Sequence, residues 1–135
     1  MGSRLKGQVA IITGGGSGMG EGQARVFASE GAAVIVADVR EENCKLVAED
    51  LEASGLYASY YQLDVRDQQN WRDLVSEAIH RHGKLDILCN NAGMNFRTDF
   101  HSQTYEQYRQ IIDVNLDGVY TVSYTHLTLP TSDLV

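Results

Sequence analysis

The segment 13–20, read as TGGGSGMG, combines the residue types that could hold a phosphate group. It lies between an apolar run at 9–12 and a stretch of helical character that begins at Glu21. Glycines let the backbone turn tightly and approach a pyrophosphate closely, while the free N–H groups and positive dipole end of the following helix face the anion. A strand, a glycine turn and a helix in this order therefore predict a dinucleotide-binding site.

The spacing of the glycines excludes two other phosphate-binding patterns. The pattern G-x-G-x-x-G fails because Met19 or Glu21 stands at its last glycine, and a P-loop fails because Glu21 stands where a lysine is required. The remaining pattern, T-G-x-x-x-G-x-G from Thr13 to Gly20, resembles the turn of the short-chain dehydrogenase/reductase family in its compact NAD(P)-dependent form. A flexible glycine-rich surface turn is the alternative interpretation.

A second motif, NNAG at 90–93, matches the same family. It follows the apolar run 85–89, which we predict to be the fourth strand. In the family this motif ends the strand beside the cofactor, and its amides tie neighbouring backbone together. The resemblance therefore implies that Asn91, with Ala92 and Gly93, belongs to the cofactor site, whereas a plain asparagine-rich turn is the alternative.

Asn115 is the residue to which the resemblance assigns a catalytic role. We predict a helix from Thr104, and Asn115 shares its apolar face, where an unpaired amide would cost about 1–3 kcal/mol. Asn115 matches the family's active-site asparagine, which is understood to hold a water in the proton relay to the catalytic lysine. A helix-end asparagine ahead of Gly118 is the alternative. The rest of the predicted face consists of Tyr108, Ile111, Ile112 and Val119.

Two acids follow predicted strands and complete the nucleotide site. Asp38 lies 18 residues beyond Gly20, close to where a nucleotide fold places an acid that accepts hydrogen bonds from ribose hydroxyls. Its carboxylate would repel a 2′-phosphate, which favours NAD over NADP, although Arg40 could hold that phosphate. Ser17 also favours NAD, since family members that prefer NADP often carry a basic residue there. A solvated loop acid is the alternative for Asp38.

We predict a third strand that ends with residues 60–65, and at the end of this strand the family places an acid and a small apolar residue in the adenine pocket. The resemblance implies this role for Asp64 and Val65, whereas a turn-capping acid is the alternative for Asp64. The complete predicted cofactor-binding set is Gly14, Gly16, Ser17, Gly18, Met19, Gly20, Asp38, Asp64, Val65, Asn91, Ala92 and Gly93.

Four apolar runs alternate with helical patterns and would position these residues. The unbroken run 32–37 is typical of a strand buried on both faces, as in a parallel sheet. Asp67 is the predicted N-cap of the third helix, and His80 and His82 are expected at its polar end. We predict an α/β, doubly wound parallel sheet, a Rossmann fold that is incomplete at the C-terminal side. The third helix should bury a stripe of Trp71, Leu74, Val75, Ala78 and Ile79.

Composition limits the partners and the compartment. The chain has 135 residues and a formal net charge of -7, which argues against nucleic acid or an anionic membrane as a partner. It shows no membrane-spanning run and no signal peptide, so we expect a cytoplasmic protein. Its two cysteines should be free thiols, and its four histidines lack metal-ligand spacing, so we expect no metal site.

The family resemblance covers residues 1–121 and stops there. The family's chemistry needs a serine and a tyrosine four residues before a lysine, but Gly2, Glu41 and His80 precede the three lysines by four residues. One hypothesis is therefore the N-terminal part of an NAD-dependent oxidoreductase, inactive alone, from a homo-oligomeric parent that acts on a small alcohol or ketone. The other hypothesis is a complete nucleotide-binding or regulatory protein without chemistry. The substrate stays open.

The tail, residues 122–135, does not follow the family. Its segment 122–131, VSYTHLTLPT, contains the chain's only proline, and its threonines and alternating leucines fit no helix. A short β segment is one interpretation. The peptide also resembles a translation of the transposase adapter used in sequencing libraries, GTC TCT TAT ACA CAT CTG ACG CTG CCG ACG.

We predict that codons 122–131 have that adapter sequence and that the source genome continues instead into a strand, a serine and a tyrosine-x-x-x-lysine. The adapter's leading CT would complete an ACT codon for Thr121, and its trailing A would begin an AGT or AGC codon for Ser132. Sequencing the genomic locus tests this. Different codons there, followed by a stop after Val135, would mean that the tail is natural.

Overall fold

The computed structural model describes residues 2–127, in which a parallel sheet is flanked by helices. The strands are β1 (Val9–Thr13), β2 (Ala33–Asp38), β3 (Ala58–Gln62) and β4 (Ile87–Cys89). They lie in the order β3-β2-β1-β4, so the chain extends the sheet to one side of β1 and then returns to the other side. This order confirms the predicted doubly wound α/β architecture, and it places a crevice where the strand order reverses.

Helices cover both faces of the sheet. α1 (Gly18–Ser29), α2 (Glu41–Ala53) and α3 (Gln68–His82) each connect two strands, and α4 (Tyr105–Ile112), a π-helical turn (Asp113–Asp117) and α5 (Gly118–Leu127) follow β4. None of the helices within residues 2–127 is long and apolar enough to span a membrane.

Two apolar cores form because β1 and β2 are buried on both faces, as their unbroken apolar runs predict. One core packs Ile12, Val34 and Val36 against α1 and α2. The other packs Ile11, Ile35 and Ala37 against α3 and α5. The predicted N-cap of α3 is confirmed, since the Asp67 carboxylate accepts hydrogen bonds from the backbone N–H groups of residues 69 and 70.

The third helix buries a narrower stripe than predicted. Trp71, Leu74, Val75 and Ala78 are buried, but Ile79 is 44% exposed, so its assignment to the core was wrong. Successive residues in a helix are separated by about 100°, so Ile79 lies beyond Val75 at the flank of the buried stripe.

The third strand ends at Gln62, three residues before the predicted end. Asp64 leaves the sheet because its N–H donates to Asn70 Oδ1 on α3 at 2.9 Å and its carbonyl accepts from the N–H of Asp67 at 3.0 Å. The predicted adenine-pocket pair thus lies in a corner after the strand.

The helix predicted from Thr104 is interrupted, because a π-helical turn occupies Asp113–Asp117. The expectation that the tail fits no helix was wrong for residues 122–127, which continue α5. Val122 is buried in the same core as α3, and this packing holds the first turn of the tail in the helix. Residues 128–135, including Pro130, lie outside the described residues, and the origin of the tail stays a prediction.

We expect Leu74→Ala to lower the free energy of unfolding by about 2–5 kcal/mol, because it leaves a cavity in a closed core. Ile79→Ala is the matched control and should cost less than about 1 kcal/mol, because much of that side chain is already in water. Urea unfolding of the 135-residue chain measures both values. Equal losses would contradict the burial pattern of α3.

Candidate cofactor site

A cleft of about 650 Å³ opens at the carboxyl ends of β1, β2 and β4, beside the reversal in strand order. This volume lies in the range of small-molecule and cofactor sites, and this end of the sheet is where open α/β folds bind ligands. Gly16, Gly20 and Asn115 do not line the cleft. The predicted residues that do are Gly14, Ser17, Gly18, Met19, Asp38, Asp64, Val65, Asn91, Ala92 and Gly93.

The glycine turn folds back against the end of β4. Gly14 has a φ of +63°, a conformation that favours glycine, and a Cβ there would lie 2.9 Å from the Cα of Ala92. A Cβ on Gly20 would overlap the carbonyl oxygen of Gly14. Gly20 therefore lets α1 start directly beneath the turn, which explains why it is needed although it lies outside the cleft.

The N-terminus of α1 points into the cleft without a side-chain cap. Ser17 occupies the N-cap position but makes no capping hydrogen bond, and the first backbone bond at this end runs from the Glu21 N–H to the Ser17 carbonyl at 3.2 Å. In contrast, Asp67 caps α3 and Thr104 caps α4. The first-turn N–H groups of α1 are therefore available to an anion, and the residues present fit a pyrophosphate group.

Asp38 braces the glycine turn from the end of β2. Its Oδ2 accepts a hydrogen bond from the Gly16 N–H at 3.0 Å, and its Oδ1 accepts one from the Arg40 N–H at 3.0 Å. A Cβ on Gly16 would lie only 2.7 Å from the Cβ of Asn43, so Gly16 allows α2 to pack against the turn. The carboxylate is fixed at the cleft and keeps lone pairs for hydroxyl donors.

Thr13 ties β1 to the loop after β4, and the set of predicted site residues missed it. Its hydroxyl accepts hydrogen bonds from the N–H groups of Asn91 at 3.1 Å and Ala92 at 2.9 Å, and it donates to the Cys89 carbonyl at 3.2 Å. In return, Asn91 Nδ2 donates to the Thr13 carbonyl at 3.0 Å. The signal was present in the sequence, because Thr13 begins the glycine motif.

Asp64 and Val65 form the corner that bounds the other end of the cleft. The Arg66 guanidinium contacts both carboxylate oxygens of Asp64, and these hydrogen bonds hold the pKa of Asp64 below its usual value. The Val65 carbonyl accepts a hydrogen bond at 3.0 Å from Nε1 of the buried Trp71, which fixes the corner to α3. Asp64 is therefore a carboxylate at neutral pH, able to accept but not to donate hydrogen bonds.

Asn115 does not point with a buried stripe, and that expectation was wrong. The π-helical turn adds a residue to one helical turn and redirects its side chains. As a result, Asn115 is exposed to solvent. Its predicted need for a partner is met by Met94, which donates its N–H to Asn115 Oδ1 at 2.8 Å and accepts from Nδ2 at 2.9 Å. Asn115 thus fixes a loop residue that lines the cleft.

Several other residues that line the cleft are absent from the predicted cofactor-binding set. Arg66 and Met94 directly follow predicted site residues, and this adjacency was the available signal. Gln110 and Val114 reach the cleft from a distant helix, and no local pattern marks them. The remaining lining residues are Ala37, Val39, Arg40 and Leu63.

Comparison with known proteins identifies the family. The sequence profile described as short chain dehydrogenase matches residues 8–131. The chain belongs to this family. Its members are NAD(P)-dependent oxidoreductases that act on alcohols and carbonyl compounds. The match includes residues 122–131, beyond the point at which the recognised motifs end.

Two curated relatives and one solved structure show how much of the family fold is present. The 2,5-dichloro-2,5-cyclohexadiene-1,4-diol dehydrogenase LinX of Sphingobium indicum is 38% identical over 120 residues, which are 89% of this chain and 48% of LinX. The L-fucose dehydrogenase of Bos taurus is 39% identical over 131 residues, 96% of this chain and 46% of that protein.

The solved structure is the 3-ketoacyl-(acyl-carrier-protein) reductase from Brucella melitensis complexed with NADH. It is 34% identical with a TM-score of 0.83, over 90% of this chain and 49% of the reductase. The chain therefore spans about half the length of the relatives that it matches.

We expect Thr13→Val to lower the free energy of unfolding by about 2–4 kcal/mol, because two backbone N–H groups lose their acceptor at a position that is 1% exposed. Thr13→Ser keeps the hydroxyl and should cost less than about 1.5 kcal/mol. Urea unfolding followed by circular dichroism compares the variants. A loss for Thr13→Val no larger than that for Thr13→Ser would contradict the role given to the hydroxyl.

Proposed function

We propose that this chain binds NAD in the cleft and forms the cofactor-binding half of an oxidoreductase. The reaction would move a hydride between the nicotinamide and an alcohol or carbonyl carbon of a small molecule. The observation that supports this function best is the uncapped N-terminus of α1, which opens through a glycine turn into the cleft between β1 and β4. The family match and the neighbouring structure with NADH support the same function.

Each part of the cleft would hold one part of the cofactor, which supplies the hydride chemistry when bound. The first-turn N–H groups of α1, at Gly18 and Met19, would bind the pyrophosphate. Asp38 would accept hydrogen bonds from the ribose hydroxyls, and Asp64 with Val65 would line the adenine pocket. The loop 91–93 would lie beside the nicotinamide end, held in place by the Thr13 hydroxyl.

The charges around Asp38 support a preference for NAD. Asp38 is braced by two backbone N–H groups and would meet a 2′-phosphate at close range. Glu41 and Glu42 add negative charge in the first turn of α2, and Ser17 offers no positive charge. Arg40 also lines the cleft, and its positive charge would act against this preference by attracting a 2′-phosphate.

Asn115 would act in the proton relay through the active-site water that the family resemblance implies. Its side chain already contacts the Met94 backbone, so it would also hold the loop after β4 that lines the cleft. The sequence contains no tyrosine four residues before a lysine, and we therefore expect this chain to bind the cofactor without turning over an alcohol.

We also propose that the protein associates with copies of itself. Tyr105 and Leu116, on the segment from α4 to the π-helical turn, are large apolar residues with most of their surface exposed. Exposed apolar surface of this kind is typical of interfaces between subunits.

We expect the 135-residue chain to bind NADH at least about tenfold more tightly than NADPH, because the Asp38 carboxylate repels a 2′-phosphate. Asp38→Asn should reduce this ratio, and Arg40→Ala should raise it. Asp73→Asn, which removes an acid from the exposed face of α3, should leave the ratio unchanged. Titration of nucleotide fluorescence measures the four ratios. Tighter binding of NADPH to the unaltered chain would mean that Arg40 outweighs Asp38.

A further inference from the structure

The Arg66 side chain forms a two-point ion pair within the lining of the cleft. Its Nε donates to Asp64 Oδ1 at 2.9 Å and its Nη2 donates to Asp64 Oδ2 at 2.7 Å. Two parallel N–H donors match the two oxygens of a carboxylate, and this geometry fixes the plane of both groups. The Arg66 backbone N–H also donates to Asp64 Oδ1 at 3.0 Å. The orientation of the Asp64 carboxylate is therefore set before any ligand binds.

The backbone of Asp64 is held independently, from the start of α3. Its N–H donates to Asn70 Oδ1 and its carbonyl accepts from the Asp67 N–H. The position of the residue thus depends on α3, while Arg66 is the side chain that hydrogen-bonds its carboxylate. Removal of the Arg66 side chain would leave the carboxylate held only by the backbone N–H of residue 66, without moving the corner.

The Asp64 carboxylate can still accept one hydrogen bond from a ligand. Its oxygens offer about four lone pairs, and Arg66 occupies two on Oδ1 and one on Oδ2. The side chain is 34% exposed and lines the cleft, so the remaining lone pair of Oδ2 is accessible to a donor. An ionised carboxylate accepts hydrogen bonds only, and it would favour an amino group over a carbonyl group in the ligand.

We propose that Arg66 is a positioning residue for base recognition, which holds Asp64 so that its free lone pair accepts a hydrogen bond from the 6-amino group of the cofactor's adenine. This inference rests on the proposed function, since it assumes that the adenine end lies at the Asp64 corner. Arg66 acts here through Asp64 and needs no contact with the cofactor. A carboxylate that is already oriented loses less conformational freedom on binding, and this preorganisation strengthens selection for the amino group.

The test compares NADH with reduced nicotinamide hypoxanthine dinucleotide, which carries a 6-oxo group in place of the amino group. The unaltered chain should bind NADH about tenfold or more tightly than the hypoxanthine analogue, because the 6-oxo group would face a carboxylate that cannot donate. Arg66→Ala should reduce this ratio to about threefold or less. Arg66→Lys should restore it only in part, because an ammonium group cannot make the two-point contact.

Arg81→Ala is the matched control, since it removes the same charge and an exposed ion pair with Glu77 on α3, away from the cleft. It should leave the ratio at the value of the unaltered chain. Both variants should fold, because ion pairs of this exposure contribute little to stability, and circular dichroism checks this. A general loss of structure would weaken binding of both nucleotides and leave their ratio unaltered.

The outcomes separate the inference from the function on which it rests. If the unaltered chain does not bind NADH, the proposed function fails. If it binds NADH and the hypoxanthine analogue equally, or if Arg66→Ala keeps or increases the ratio, NAD binding stands and the role of Arg66 is overturned. A ratio that falls with Arg66→Ala, stays with Arg81→Ala and partly returns with Arg66→Lys supports the proposal.

Discussion

The hydrogen bonds of one buried hydroxyl hold the cleft together. Thr13 ends β1, and its Oγ1 joins the carbonyl of Cys89 on β4 to the two N–H groups that follow that strand. β1 and β4 are paired strands on opposite sides of the reversal in strand order, so this contact joins the two chain segments that border the crevice at their carboxyl ends. Because a buried donor or acceptor without a partner is costly, the threonine and the asparagine loop depend on each other.

The glycine turn depends on this contact as well. Asn91, held by Thr13, lies against Gly14 and Gly20 so closely that a Cβ on either glycine would crowd its side chain. The close approach brings the start of α1 to the cleft with its first N–H groups unused by any side-chain cap. The anion binding proposed for this helix would therefore depend on packing between the turn and β4, together with the positive end of the helix dipole.

Carboxylates at the ends of β2 and β3 give the cleft its negative side. Asp38 hydrogen-bonds the glycine turn, whereas Asp64 hydrogen-bonds Arg66, and both keep acceptor capacity toward the cleft. A dinucleotide would then meet donors at its pyrophosphate and acceptors at its ribose and base. The chain belongs to the short-chain dehydrogenase family and spans about half the length of the relatives that it matches, and this half contains the candidate cofactor cleft.

Local sequence patterns were sufficient to predict the order of the elements, the parallel sheet and the glycine turn. These follow from local rules, because apolar runs, helical periodicity and glycine spacing act over a few residues. The same rules placed Asp38, Asp64 and Asn91 at the ends of strands that meet at one edge of the sheet.

The neighbours of these residues, in contrast, are set by the folding of the whole chain and could not be predicted from local patterns. Nothing local distinguishes Ile79 from Leu74, pairs Asn115 with Met94 across 21 residues, or brings Gln110 and Val114 to the cleft. The pair formed by Asn115 of the π-helical turn and Met94 joins elements distant in the chain. The corner at Asp64 is held by hydrogen bonds to the start of α3, at residues 67, 70 and 71, and no periodicity in the sequence marks these partners. Such contacts depend on the relative placement of whole elements, which a short-range pattern does not encode.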